Sequence, residues 1–255
     1  MILLETVAVA FAMFSALPVP QPEWNGKNMR YALCAFPLVG VVTGLCWWGW
    51  AALSGALALP ALLRGAGLCL LPVLITGGIH LDGYADTCDA LASCAAPEKK
   101  QEILKDPHCG AFAVIRLLIW FIADWALAAS LTPTPRALLC MGLAFVLARS
   151  LSGLAVAAFP LAKNTGLVHT FATAADKKVV RAVLTVLSVL LAVGMFAVGG
   201  ATGLAMAGAA VFVFWRYYRT ATIRFGGTSG DLAGWFLQRA ELWMLAALVA
   251  CQYIG

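Results

Sequence analysis

"VVRAVLTVLSVLLAVGMFAVG", Val179 to Gly199, contains one charge, Arg181, and no proline. At about 1.5 Å per residue, a helix of this length crosses the roughly 30 Å hydrocarbon layer of a bilayer. Comparable apolar runs recur on either side of it: Tyr31–Leu59, Ala61–Gly78, Gly110–Leu131, Ala137–Phe159, Ala201–Tyr218 and Leu232–Ile254. Ala61–Gly78 and Ala201–Tyr218 are slightly short. In lipid every backbone N–H and C=O must be satisfied internally, which leaves helices or closed barrels. Barrel strands are about ten residues long and alternate in polarity, whereas these runs are long and unbroken. The fold class that follows is all-α: a polytopic integral membrane helical bundle of about seven transmembrane helices. Composition agrees, with 62% hydrophobic and 11% charged residues in 255; a soluble domain carries about 25% charged residues. One transmembrane domain over residues 1–255 is expected. The opening stretch, MILLETVAVAFAMFSAL, stops at Pro18 and Pro20, and the first basic residue after it is Lys27. It lacks the basic start of a signal peptide, and a short re-entrant or interfacial helix is expected there.

The basic residues orient the bundle. Lys27, Arg30, Lys99, Lys100, Lys105, Lys163, Lys177, Lys178, Arg181, Arg216, Arg219 and Arg224 fall in one alternating set of connections. Arg116 and Arg239 lie in the adjoining helix ends, and Arg149 is mid-span. The opposite connections hold only Arg64 and Arg136. Such a bias marks the basic side as cytoplasmic. Glu23, Asp82, Asp86, Asp89, Glu98, Glu102, Asp106, Asp176 and Asp231 fall on that same side, which suggests a one-sided site rather than a face-to-face pathway. The formal charge is +5, but no basic cluster is interleaved with aromatics as nucleic-acid binding requires. The eight cysteines form no C-x-x-C pair and fall mostly in apolar spans, so they read as small buried hydrophobes rather than disulfides or zinc ligands.

Chemistry concentrates in "GGIHLDGYADTCDALAS", Gly77 to Ser93. Asp82, Asp86 and Asp89 are spaced i, i+4, i+7, within about 60° of one helix face. Like charges at that spacing destabilise a helix, and no Lys or Arg lies between them. A divalent cation, Mg²⁺ in particular, takes carboxylates together with substrate phosphates and water. Gly77, Gly78 and Gly83 allow close approach of backbone or ligand. A second stretch, "EKKQEILKDPHCG" from Glu98 to Gly110, sets Glu98, Glu102 and Asp106 at i, i+4, i+8 among three lysines. Alone it reads as an amphipathic helix between Pro97 and Pro107. Beside the first, it supplies a second carboxylate helix that would hold metal against a diphosphate. A third, "RFGGTSGDLAG" from Arg224 to Gly234, opens the last helix at Asp231, either as an anion-binding terminus or as a plain N-cap. A fourth, "KNTGLVHTF" from Lys163 to Phe171, adds a cation and His169. His80 and His108 flank the acidic clusters. Asp124, Arg149 and Glu241 lie inside spans and are expected to face inward, with Asp124 and Arg149 a possible pair about two turns out of register.

Taken in order, "FSALPVP", "FPLVG", "GGIHLDGYADTCDAL", "EILKDPHCGAF" and "GGTSGD" resemble the cobalamin synthase family, also called adenosylcobinamide-GDP ribazoletransferase, over nearly the whole chain. Pro107 and His108 stand where the family commonly carries Ser and Arg. The resemblance implies a Mg²⁺-dependent enzyme of the bacterial inner membrane, with its site facing the cytoplasm. Its small-molecule substrates are adenosylcobinamide-GDP and α-ribazole or its 5′-phosphate; a ribazole hydroxyl displaces GMP. It implies metal and diphosphate roles for Asp82, Asp86, Asp89, Glu102 and Asp106. Asp89 or Asp86 would be the catalytic base, and Lys105, Arg116, Gly227, Asp231 and His80 would bind substrate. Two other classes compete. A CDP-alcohol phosphotransferase would carry D-x2-D-G-x2-A-R, but Ile79 occupies the first Asp place. A transporter would place its aspartates near mid-membrane, open to both faces.

Overall fold

The computed structural model describes residues 2–20, 22–162 and 165–254. Among them are eleven helices and no strand. In chain order they are α1 (Ile2–Phe14), α2 (Ala32–Ala56), α3 (Ala61–Thr76), α4 (Ile79–Ala92), α5 (Pro97–Ile103), α6 (Ala111–Ser130), α7 (Pro135–Ala158), α8 (Leu167–Ala174), α9 (Lys177–Gly199), α10 (Ala201–Phe225) and α11 (Gly230–Ile254). Every expected span coincides with a helix. α2, α6, α7 and α9 are each long and apolar enough to cross a membrane, and α3 with α4 form a further apolar pair bent by 95°. By length and composition that makes four crossings, or five with the bent pair. Three of the seven expected spans, α3, α10 and α11, fall short of that length-and-composition test for physical reasons. α3 has 16 residues, about 24 Å of helix. α10 and α11 are 25 residues each but carry Arg216, Arg219 and Arg224, and Asp231, Arg239 and Glu241, respectively. α1, at 13 residues, is shorter than a span; it packs on α2 and ends with Phe14 against Phe36, ring centres 4.1 Å apart.

Periodicity decides which faces meet. On α9, Val183, Val186, Leu190 and Val193 are exposed, while Val180, Leu184, Leu191 and Met195 are buried. This is the two-sided pattern of a helix with one face to lipid and one to protein. Lipid tails are as apolar as Leu, so contacts between membrane helices rely on close backbone approach and buried polar bonds. α2 supplies the first through Gly40 and Gly44. A Cβ at Gly40 would lie 2.6 Å from the Phe145 carbonyl oxygen, and one at Gly44 would lie 3.0 Å from Gly142 Cα. We expect Gly40→Ala to cost about 1–3 kcal/mol by overpacking, read as a lower Tm in detergent. Gly49→Ala, with open space around it, should leave Tm unchanged; equal Tm values for the two variants would contradict the packing argument.

Buried polar bonds supply the rest. Ser150 Oγ donates to the Leu184 carbonyl at 3.1 Å and lies 2.9 Å from Ser188 Oγ. Arg149, fully buried, donates to the Phe145 carbonyl at 2.9 Å and pairs with Glu241 at 2.5 Å. The three intramembrane charges do face inward, but the partner of Arg149 is Glu241 on α11; Asp124 lies beside Cys69 instead. The two-turn mismatch between Asp124 and Arg149 is not bridged, and α11 comes close enough to supply the carboxylate. At the opposite end of α6 from the site, Arg64 donates to the Leu131 carbonyl at 3.1 Å.

Candidate active site

α3 ends because Gly77 and Gly78 both adopt left-handed backbone, φ +65° and +78°. The Gly77 and Gly78 N–H groups donate to the Leu74 and Val73 carbonyls, the paired bonds of a Schellman stop. The chain then re-enters helix at Ile79, turned by 95°. A 14-residue helix with three carboxylates does not cross hydrocarbon; α4 lies outside the spans, at one end of the bundle. His80, Leu81, Gly83, Tyr84, Thr87 and Cys88 are buried, which leaves Asp82, Asp86 and Asp89 on the other face.

Two glycines bring α11 against this helix. A Cβ at Gly83 would lie 2.8 Å from Asp231 Cα and O, and one at Gly234 would lie 2.8 Å from the His80 carbonyl oxygen. The N-terminus of α11 is thereby seated on α4. Ser229 caps it, accepting from the Leu232 N–H at 3.3 Å. Asp231 is therefore not the capping residue; its carboxylate accepts from Ser229 Oγ at 3.3 Å and bears on Asp86. Burial, reinforced by Asp82, Asp231 and Asp89 in that order, pushes the Asp86 carboxyl up to about 6. Asp89 lies over Gly110, where a Cβ would meet its Oδ2 at 2.1 Å.

Two recesses meet at Asp82. One is a cavity of about 490 Å³ with Phe14, Phe36 and Phe171 in its wall and His80, Asp82 and Asp231 along one side. The other is an open groove of about 520 Å³ with Asp86, Pro107, His108 and Cys109. Ile79 and Asp82 border both. Behind the cavity, the glycine-rich loop is clipped to the end of α7: Thr228 N–H donates to the Pro160 carbonyl at 2.7 Å, Ala162 N–H to the Thr228 carbonyl at 2.9 Å, and Tyr217 Oη bonds Thr228 Oγ1.

From residues 6 to 249 the chain matches the family described as cobalamin-5-phosphate synthase. The chain belongs to the cobalamin-5-phosphate synthase family. It is 41% identical to an adenosylcobinamide-GDP ribazoletransferase of Lachnoclostridium phytofermentans, over 98% of this chain and 95% of that one. Proteins of the same name from Desulfitobacterium hafniense and Pseudomonas fluorescens are 30% and 32% identical, over 93% and 91% of this chain and 93% and 94% of theirs. No solved structure matches. Membership of the cobalamin-5-phosphate synthase family makes the chain a transferase of cobalamin biosynthesis, built as a multi-pass helical membrane protein.

Within this family member, the sequence-derived residues separate into groups. Asp82, Asp86, Asp89 and Asp231 come together. His80 and Lys105 line the cavity, as does His169; Lys163 lies outside the described residues. Gly227 is a packing residue, since a Cβ there would lie 2.5 Å from Ala162 N. Arg116, on α6, is exposed and bears on Tyr84 and Cys88 rather than lining either recess. Glu102 pairs with Lys99 at 2.7 Å on exposed α5, which holds its carboxyl below the usual range. Asp106 accepts from the His108 backbone N–H at 2.9 Å, and its carboxylate lies 2.7 Å from His108 Nδ1. Phe14, Phe36 and Phe171 carry no signal in a chain this rich in apolar residues; only their convergence identifies them.

Because its pKa is raised from the ordinary 3.8 to about 6, Asp86 binds its proton more tightly in the folded protein than in the unfolded chain. Stability therefore falls as pH rises from about 4 to about 6 and stays lower above that. With allowance for solvent screening, the penalty is about 1 kcal/mol. We expect Asp86→Asn to raise Tm by about 2–4 °C at pH 7.5 without metal, and to lose the advantage at pH 4. A lower Tm at pH 7.5 would contradict the repulsion argument.

Proposed function

We propose that this protein joins adenosylcobinamide-GDP to α-ribazole or its 5′-phosphate and releases GMP, at a site on the cytoplasmic face of the bacterial inner membrane. Family membership and the named relatives support the reaction, and the lopsided distribution of Lys and Arg supports the side. The observation that carries the reading is the cluster of aspartates where the cavity and the groove meet: Asp82 borders both, Asp231 the cavity and Asp86 the groove. A ribazole hydroxyl attacks the phosphorus attached to the cobinamide arm. The new O–P bond forms as the P–O–P bond breaks, GMP leaves with the bridging oxygen, and the hydroxyl proton passes to a carboxylate. Such transfers depend on positioning and charge neutralisation more than on covalent catalysis.

Mg²⁺ suits this donor set. The cluster is all-oxygen, electrostatically strained at Asp86, and given room at Asp89 by Gly110. Among the described residues no group of three or more His, Cys, Asp or Glu side chains is placed to hold a metal ion. An ion here would therefore be held by no more than two of the carboxylates and shared with substrate phosphates and water. Asp82 and Asp86 would hold it, with Asp231 facing them. When bound, it neutralises charge on the diphosphate. Asp89, beside Asp86 and outside the pair assigned to the ion, would take the proton. Lys105 brings a cation to the cavity side. Glu102 and Asp106 engage Lys99 and His108, and of these four His108 lines the groove.

The test is GMP release by the purified protein in lipid nanodiscs, supplied with adenosylcobinamide-GDP, α-ribazole 5′-phosphate and Mg²⁺. Release should require all three additions. No GMP above a protein-free control would overturn the reading.

A further inference from the structure

The cavity and the groove are similar in volume but differ in lining. The cavity wall brings Phe14 within 4.1 Å of Phe36 and 5.7 Å of Phe171, ring centre to ring centre, and Phe36 lies 5.9 Å from the His80 ring. His80 is 7% exposed and its Nε2 is buried with no hydrogen-bond partner. A buried imidazole nitrogen without a partner is costly in a finished core; at the side of a cavity it is a group prepared for a ligand. Aromatic faces and one buried polar edge suit a planar heteroaromatic base, which stacks on the rings and uses its edge nitrogen for a hydrogen bond. At the rim stand Asp82 and Asp231, then Ser229, Lys105 and His169, a change from apolar to polar that matches a base continued by a ribose and a phosphate. The groove has a single phenylalanine, Phe121, in its lining.

We infer that the cavity is the acceptor subsite: it takes the ribazole nucleotide with its base among Phe14, Phe36 and Phe171 and against His80 Nε2, and its ribose at the Asp82–Asp231 rim. This assignment rests on the proposed reaction. His80 Nε2–H donates to the free ring nitrogen of the base. Lys105 and His169 receive the 5′-phosphate. The donor, a corrin ring carrying a nucleotide, approaches from the other, more open recess. Asp82, bordering both recesses, then stands where the two substrates meet.

The experiment separates the two substrates kinetically, in nanodiscs with Mg²⁺. Phe171→Leu keeps the wall apolar but removes a ring, and Ala233→Leu, on α11, narrows the cavity. Each should raise the KM for α-ribazole 5′-phosphate about tenfold or more, as loss of base stacking predicts. The KM for adenosylcobinamide-GDP should stay within about twofold, which also shows that the variants are folded. A second readout needs no turnover. Thr165→Cys, on the cavity wall, is placed in a background where the exposed Cys46, Cys94 and Cys109 are serine. Its maleimide labelling should slow about tenfold with saturating α-ribazole 5′-phosphate and be unchanged by adenosylcobinamide-GDP. Donor KM rising in place of acceptor KM, or donor protecting Thr165→Cys, would overturn the subsite while leaving the reaction intact. Absence of GMP from the wild-type protein would overturn the reaction, and the subsite with it.

Discussion

Asp82→Asn should reduce the rate of GMP release by about a thousandfold at saturating substrates, the scale expected for losing a preorganised electrostatic contact to developing charge. The argument is positional. Asp82 is the carboxylate bordering both recesses, and it contributes to the repulsion on Asp86. The amide keeps size and shape while removing the charge that would hold Mg²⁺ and the diphosphate. Folding should be preserved, because the residue is exposed at the end of the bundle. The loss should persist at raised Mg²⁺, and acceptor protection of Thr165→Cys should survive it. Turnover within about threefold of wild type would remove Asp82 from the reaction.

The largest expected effect on stability lies in the bundle interior. Arg149→Met should cost about 3–5 kcal/mol, because it leaves Glu241 as an uncompensated buried charge. Glu241 is 4% exposed and its partner 0%, so no water replaces the lost ion pair. Asp124 lies close enough to bear on Glu241 and is not a cation that could replace Arg149. The double variant Arg149→Met/Glu241→Leu removes both members and should recover most of the loss, because a buried pair is often no more stabilising than apolar residues of similar volume. The measurement is Tm and monodisperse yield in detergent for the two single variants and the double. Additive losses in the double variant would show that the pair is not coupled as its 2.5 Å contact indicates.

How much of the site was legible depended on where its partners lie in the chain. Asp82, Asp86 and Asp89 belong to one helix, so their shared face follows from a spacing of four and three residues. Asp231 was visible as a helix-opening acid, but its nearness to Asp86 was not. That nearness depends on Gly83 and Gly234, two glycines about 150 residues apart that let α4 and α11 touch. Glu102 and Asp106 show the opposite case. Their spacing placed them on a second acidic face, yet each has a short-range partner, Lys99 and His108, within three residues. Arg149 was expected inside the bundle from the cost of exposing a charge to lipid; which carboxylate it met was a matter of register between helices 92 residues apart in the chain.

By itself, the sequence determined the class of molecule: helices, lipid, a basic side, and an acidic helix beside it. These are local properties, set by hydropathy, length and helical period, and each is complete within about twenty residues. Tertiary structure alone decided that α3 and α4 meet at 95°, that a fourth aspartate joins the three, and that Phe14, Phe36, His80 and Phe171 enclose one cavity. The physical reason is that a recess is a relation between surfaces. Its walls come from α1, α2, α4, α7, α8 and α11, whose apolar residues look alike in a chain that is 62% hydrophobic until close packing shows which of them leave space.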